Sequence, residues 1–311
     1  MPVDREHVLP NLRLGMDHDL YPYDPLNENR AILKWPNDAR IAVCVIVNME
    51  QWEWVQPEDG YRSPSLASAP GPHPDITAWS AREYGHRVGV FRVLDVLDKH
   101  GIKPTVAMDT LTAENYPWLV KHHVGRGDEI IGHGISLSRM ITSRMSEQEE
   151  RDYIQTSLTS LNKATGATAM GWLGPEFGES TRTPALLGEA GIRYTCDWVN
   201  DDQPFRMNTP QGELYALPVN LPLDDVSALV DRNLGMDTYV QIIEDSFDVL
   251  YAEGAQNGRL LVLNLHPFII GQAFRIRGLD KALDYIAHRD GVWTATGSEI
   301  IDWYRSHPPV A

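Results

Sequence analysis

The chain has 311 residues, 42% hydrophobic and 23% charged, with a formal net charge of −16 and a pI near 5.0. That length can bury a large core, as one α/β barrel or as two domains, and the acidity argues against a nucleic acid or an anionic membrane as partner. No uncharged run approaches the about 20 residues that a membrane span needs, and no apolar N-terminal stretch resembles a signal peptide, so the expected location is the cytoplasm.

Residues 1–35 are polar and irregular, with Pro10, Pro22 and Pro25. They are expected to form an N-terminal arm packed on a single barrel domain over 36–311. Pro36-Asn37-Asp38 is a turn signal. Ile41–Val47 is a continuous, β-branched-rich run that suits a strand buried on both faces. Residues 55–78 are rich in Pro, Ser, Gly and Asp and read as a long loop.

"SAREYGHRVGVFRVLDVLDKHG" predicts one helix stopped by Gly101. "KPTVAMD" predicts a strand ending at Asp109, Glu114–His123 a helix, and Asp128–Gly132 a strand ending in Gly132-His133-Gly134. Ser146 and Glu149 form a capping box that opens a long helix. "ATAMGWLGPEFGEST" reads as a strand entering a Gly/Pro-rich loop, and "TPALLGEAG" as a short helix. "IRYTCDW" and "GELYALPVN" are two further strands. Met236–Glu253 predicts a long amphipathic helix and "RLLVLNLHPF" an apolar strand ending at His266. "GLDKALDYIAHRDG", "VWTAT" and "GSEIIDWYRSH" give helix, strand and helix. Cys44 and Cys196 lie in apolar or aromatic runs and make no disulfide framework.

The repeated strand–loop–helix alternation argues for a parallel sheet. No glycine-rich phosphate fingerprint follows the first strand, so a barrel is favoured over a dinucleotide-binding sheet. Glu50, Asp109, His133, Glu176, Asp197 and His266 all fall near C-terminal strand ends, where a barrel places its chemistry. His7, His18, His73, His86, His122 and His123 lie elsewhere and read as surface or loop residues.

These strand ends resemble the polysaccharide deacetylase (NodB-homology) superfamily over about residues 35–304. The matching pieces are "VNMEQWE", "GDEIIGHG", "GWLGPEFGEST", "RYTCDW" and "LVLNLHPFIIGQAFRI". The resemblance implies an α/β fold, a distorted (β/α)7 barrel. The general family uses an Asp-Asp pair after the first strand and an HxxxH pair after the third, one Asp as base and the other three as metal ligands. This chain reads Glu50-Gln51 at the first place and His133-Gly-Ile-Ser-Leu137 at the second. Leucine cannot ligate, and a glutamine amide is a weak neutral donor. The altered pattern is similar to the allantoinase (PuuE-type) and cyclic-imide-hydrolase-like branch, which carries a single His-Gly, an Asn-x-Glu and a late "LHP…GQ…RI". That branch implies hydrolysis of a non-peptide C–N bond in a small cyclic or linear amide.

Such hydrolysis needs a base, a group to stabilise the oxyanion and an acid for the leaving nitrogen. Glu50 is the expected base, with burial raising its pKa, and His133 and His266 assist. Trp52, Trp172 and Trp198 are expected as aromatic walls for a planar substrate. Glu176, Asp197 and Arg87 are expected as polar substrate contacts, Asp197 alternatively as an orienting group for a histidine. No cofactor is expected. Should a divalent metal such as zinc bind, Glu50, His133 and His266 are the ligand set on offer. A metal-dependent carbohydrate deacetylase with rearranged ligands is the first alternative, and a non-catalytic small-molecule-binding relative the second. The expected partner is a small amide. Oligomeric state is open, with the arm and the "GVW" strand as candidate homo-oligomer interfaces.

Overall fold

The structure, a computed structural model, describes residues 18–22, 26–55 and 74–309. Its centre is β1 (Ile41–Met49), all nine residues of which are buried. Side chains alternate between the two faces of a strand. Ile41, Val43, Val45, Val47 and Met49 therefore pack outward in the core shared with the helices, while Ala42, Cys44 and Ile46 pack inward in a second core.

One edge of β1 pairs in parallel with β8 (Arg259–Leu265), from Ile41 opposite Arg259 to Val47 opposite Leu265. The other edge is shared end to end. Ile41–Val43 pair with β9 (Val292–Thr294), and Ile46–Met49 pair with β2 (Thr105–Met108). Parallel pairing continues through β3 (Glu129–Gly132), β4 (Gly171–Trp172), β5 (Tyr194–Thr195) and β7 (Tyr215–Ala216), with β6 (Phe205–Arg206) antiparallel on the end. The sheet curls until its ends meet: Val262 N–H donates to Asn220 Oδ1 at 2.8 Å, and Leu260 N–H to the Asp202 carbonyl at 2.8 Å, both on β8 (Arg259–Leu265). The result is the distorted (β/α)7 barrel expected from the sequence.

Helices cover the outside. α1 (Ile76–Tyr84) and α2 (Val90–Lys99) are joined by a π-turn over Gly85–Gly89 rather than forming the single α-helix expected. α3 (Thr110–Asn115) and α4 (Pro117–Arg126) follow, then α5 (Glu147–Thr165), which opens with the predicted Ser146–Glu149 capping box. α6 (Thr183–Glu189), α7 (Met236–Glu253), α8 (Ile276–Ala287) and α9 (Gly297–Ser306) complete the chain. Leu33 and Trp35, from the segment before β1, are buried in the inner core. Trp35 Nε1 donates to the Arg259 carbonyl at 2.7 Å, so this segment helps seal the N-terminal end of the barrel. His86 and His123, expected at the surface, are buried, because each lies on the inward side of its helix. His7, His73 and most of the expected 55–78 loop lie outside the described residues. Among the described residues, no helix is long and apolar enough to cross a membrane.

Candidate active site

The inward parity of each strand carries past its end. On β1, the series Ala42, Cys44, Ile46 and Asn48 continues to Glu50. On β8, Leu260, Val262 and Asn264 continue to His266. On β3, Ile131 continues to His133. All five polar side chains, Asn48, Glu50, His133, Asn264 and His266, are buried. Asn48, Glu50, Arg82, His133, Glu176 and His266 line one cavity of about 180 Å³ at the C-terminal mouth of the barrel.

Glu50 and His133 form the first pair. His133 Nδ1 donates to the Leu173 carbonyl at 2.6 Å, which turns Nε2 onto Glu50 Oε2 at 3.3 Å. Burial alone would raise the Glu50 pKa. The His133 hydrogen bond and the charges of Arg82 and His266 outweigh it and hold the carboxyl at about 2. The expected upward shift is therefore reversed, because burial arrived with a paired cation. Burial would likewise depress His133, but Glu50 raises it above 6.5. The pair shares one proton, which resides on the histidine.

His266 forms the second pair. Its backbone N–H donates to Asp225 Oδ2 at 2.9 Å and its Nδ1 to Asp225 Oδ1 at 2.7 Å, leaving Nε2 for a ligand. Burial opposes the charge, yet Asp225 and Asp224 raise His266 to about 10. The neighbouring carboxylate, Asp224, is anchored by a chain of amides. Asp224 accepts from Asn264 Nδ2 at 2.7 Å, and Asn264 Oδ1 accepts from Asn48 Nδ2 at 2.8 Å. Because a carboxylate can only accept, this chain sets the direction of both amides.

The residues at the family's metal position do not fit a metal. Gln51 spends both ends of its amide, Nε2 donating to Glu83 Oε1 at 2.7 Å and Oε1 accepting from Asn115 Nδ2 at 2.9 Å. Leu137 is buried hydrocarbon, and both nitrogens of His133 are engaged. Glu50, His133 and His266, named as the fallback set, do not converge as a ligand group. Among the described residues, the clusters with ligand atoms within 4.8 Å of one another are Asp224–Asp225–His266 and, on the surface, His100–Asp284–His288.

Glu176 reaches the cavity as expected, on a left-handed backbone (φ 54°) in the loop after β4. The aromatic walls do not form as expected. Trp172 faces outward, fully buried against Gly132. Trp198 donates to Glu179 at 3.0 Å and packs on His18 and Tyr21. Trp52 stands behind Arg82 rather than in the lining, and Phe177 supplies the aromatic surface instead. Asp197 is not in the lining either. Its Oδ1 accepts from Gly174 N–H at 2.7 Å, and the same peptide presents the Leu173 carbonyl to His133. Asp197 and His133 are thus linked through one peptide unit. Arg87 is exposed on the far side of its helix, and Arg82 is the arginine that enters the cavity. The sequence reading also missed Asp225 and Asn48. A signal existed for Asn48: Asn-x-Glu on β1 and Asn-x-His on β8 repeat the same inward step.

The polysaccharide deacetylase family model matches residues 72–195. A Schizosaccharomyces pombe protein provisionally named a polysaccharide deacetylase is 26% identical over 301 residues, spanning 88% of this chain and 93% of its own. Among solved structures, PuuE allantoinase is 28% identical with a TM-score of 0.81, the match covering 94% of this chain and 99% of that one. A structure from Pseudomonas aeruginosa PAO1, described as a probable polysaccharide deacetylase, is 26% identical with a TM-score of 0.81, covering 94% and 100%.

Proposed function

We propose that this chain, which is similar to NodB-type polysaccharide deacetylases and to PuuE allantoinase, is a hydrolase of C–N bonds other than peptide bonds, acting on a small cyclic amide of the imide or ureide type. One observation carries the reading: a carboxylate at about 2 and an imidazolium at about 10 line the same small cavity. A proton acceptor kept ionised and a proton donor kept charged, facing one cavity, are the two roles that general base and general acid catalysis divide. The cavity, at about 180 Å³, lies below the ~300 Å³ at which pockets begin to enclose drug-sized ligands, and so suits a single small ring.

The Glu50–His133 pair is the base. In its unprotonated form, Glu50 takes a proton from water and passes it to His133, so the pair acts near the pKa of the histidine rather than that of an isolated carboxylate. The hydroxide adds to the amide carbon, and the C=O electron pair moves to oxygen. Collapse re-forms the carbonyl and breaks the C–N bond, while His266 gives its Nε2 proton to the leaving nitrogen. Water has then been divided between a carboxylic acid and the N–H of the released amide or urea. Asp225 holds the imidazolium until that moment. Similarity to PuuE allantoinase supports the substrate class.

The test is ring opening of hydantoin, succinimide and allantoin, run beside acetate release from acetylated sugars. Turnover of a ring probe that is lost in Glu50→Gln is the expected result. Acetate release with no ring opening would transfer the assignment to a carbohydrate deacetylase.

A further inference from the structure

Arg82 is buried among Trp52, Phe268 and Glu50 without a short polar partner for its guanidinium. Its side chain is 4% exposed, and among the described residues its guanidinium makes no hydrogen bond. Nε has no partner, and the one carboxylate within ion-pair range is Glu50 Oε1 at 3.8 Å. That distance is beyond a hydrogen bond. Leaving buried donors unpaired costs roughly 1–3 kcal/mol each, and more for a charged group. Neighbouring polar groups are already committed: Glu83 binds Gln51 and Tyr116, and His86 binds Thr112.

Two aromatic rings pack on the guanidinium: its central carbon lies 4.4 Å from the centroid of Trp52 and 4.6 Å from that of Phe268. Rings stacked on a guanidinium satisfy its faces and leave the N–H donors at its edge for a ligand. The local backbone is built to allow this. A Cβ on Gly85 would come within 2.9 Å of the Phe268 nitrogen, and one on Gly89 within 2.1 Å of the Pro267 carbonyl. Both glycines of the π-turn therefore let the α1–α2 rod press against the segment that follows His266. π-turns are frequent where a helix must offer a side chain to a functional site.

We propose that Arg82 is the electrophile of this site: its guanidinium receives the carbonyl oxygen of the scissile amide and stabilises the negative charge that forms there. The proposal rests on the hydrolytic reading above and supplies the one requirement that the Glu50–His133 and His266–Asp225 pairs leave unmet. It assigns to a side chain the polarising role that the family's metal ligands would serve, in a chain where Gln51 and Leu137 stand in their places. A neutral carbonyl fits better than a carboxylate group of the substrate. Glu50, Glu176 and Asp109 already place negative charge around Arg82, so a second permanent anion would be repelled. A carbonyl becomes anionic only as Glu50 removes the proton from water.

The experiment compares wild type, Arg82→Lys and Arg82→Ala on hydantoin, succinimide and allantoin, with millimolar guanidinium chloride added back to the alanine variant. Arg82→Ala should lose about 10²- to 10³-fold in kcat, as removal of an oxyanion donor does, with KM within about threefold. Added guanidinium should restore at least about a tenfold gain in Arg82→Ala and none in wild type. An unchanged kcat, a rise in KM alone, or a loss that guanidinium does not rescue overturns the proposal. Should the alanine variant not fold, Arg82→Lys decides, since it keeps the charge and lacks the planar fork. A kcat loss at an unchanged melting temperature then supports the proposal, and wild-type kcat overturns it. If wild type opens none of the rings, the hydrolytic reading fails by itself, and hydantoin titrated calorimetrically into wild type and Arg82→Gln reads Arg82 separately. Binding weakened about tenfold supports a carbonyl donor; equal affinity, or none in either protein, overturns it.

Discussion

The cavity is built from two histidine–carboxylate pairs that face it in opposite order. In the Glu50–His133 pair both members line the cavity, and the histidine is braced from behind by the Leu173 carbonyl. In the His266–Asp225 pair the histidine lines the cavity and the carboxylate is fully buried behind it. The same two residue types therefore offer different chemistry. A carboxylate in front with a cation beside it accepts a proton; an imidazolium in front with an anion behind it gives one. Orientation, set by which strand ends in which residue, divides the two roles.

The largest effect should come from emptying either half. Glu50→Gln removes the acceptor, and His266→Asn the donor. Each is expected to lower kcat by about 10²- to 10⁴-fold, measured by steady-state ring opening, and the double variant should lose little more than either alone. Additive losses would mean that the two pairs do not serve one reaction. The next effect is on pH. The proposed mechanism requires the Glu50–His133 pair unprotonated and His266 protonated. The rate should rise as pH passes the His133 value, which lies above 6.5, and fall as it approaches about 10. Asp225→Asn removes the anion that holds the His266 proton, so its alkaline limb should move to lower pH while the acid limb stays. A profile in which only the acid limb moved would reverse the assignment of the two pairs.

Much of this site was legible before the structure, and the reason is parity. The apolar run Ile41–Val47, suited to a strand buried on both faces, announces itself, and counting by two past its end from Ile46 reaches Asn48 and Glu50. The same count on β8 reaches Asn264 and His266. It fails on β4, which has two residues, so the outward turn of Trp172 could not be read from alternation. Helix faces were harder. Arg82 and Arg87 are five residues apart, roughly 140° around an α-helix, so only one can face the cavity, and the π-turn at Gly85–Gly89 alters the count beyond it. Asp225 was illegible because its role comes from a contact 41 positions away in sequence. The Glu50 pKa was misjudged in sign because burial could be inferred from the strand, while the partners that outweigh it could not.

A smaller effect separates the pairs by their supports. Asp197 steadies His133 only through the Leu173–Gly174 peptide, whereas Asp225 touches His266 directly. Asp197→Ala deletes a hydrogen bond from a charged acceptor, worth about 1.5 kcal/mol, which corresponds to about a tenfold loss in kcat. The loss should appear with a lowered His133 pKa by NMR titration and an unchanged His266. A loss of melting temperature with both histidines unshifted would make Asp197 a purely structural contact.

The smallest expected effect is that of removing metal, and it tests the comparison at its base. The two histidine–carboxylate pairs, with Arg82, suffice only if no ion is needed to polarise the substrate. A Lewis-acidic ion contributes several kcal/mol to the transition state, so an enzyme that depended on one would lose orders of magnitude on chelation. Here the Gln51 amide is held at both ends by Glu83 and Asn115, and Leu137 offers no donor. Dialysis against a strong chelator should therefore leave the ring-opening rate within about twofold, far short of the loss of an essential Lewis acid. Were activity lost and then restored by zinc, the ion would have to sit at Asp224, Asp225 and His266, the described ligand group that borders the cavity. His266 could not then donate a proton while serving as a ligand, and the acid would have to be sought in the Glu50–His133 pair.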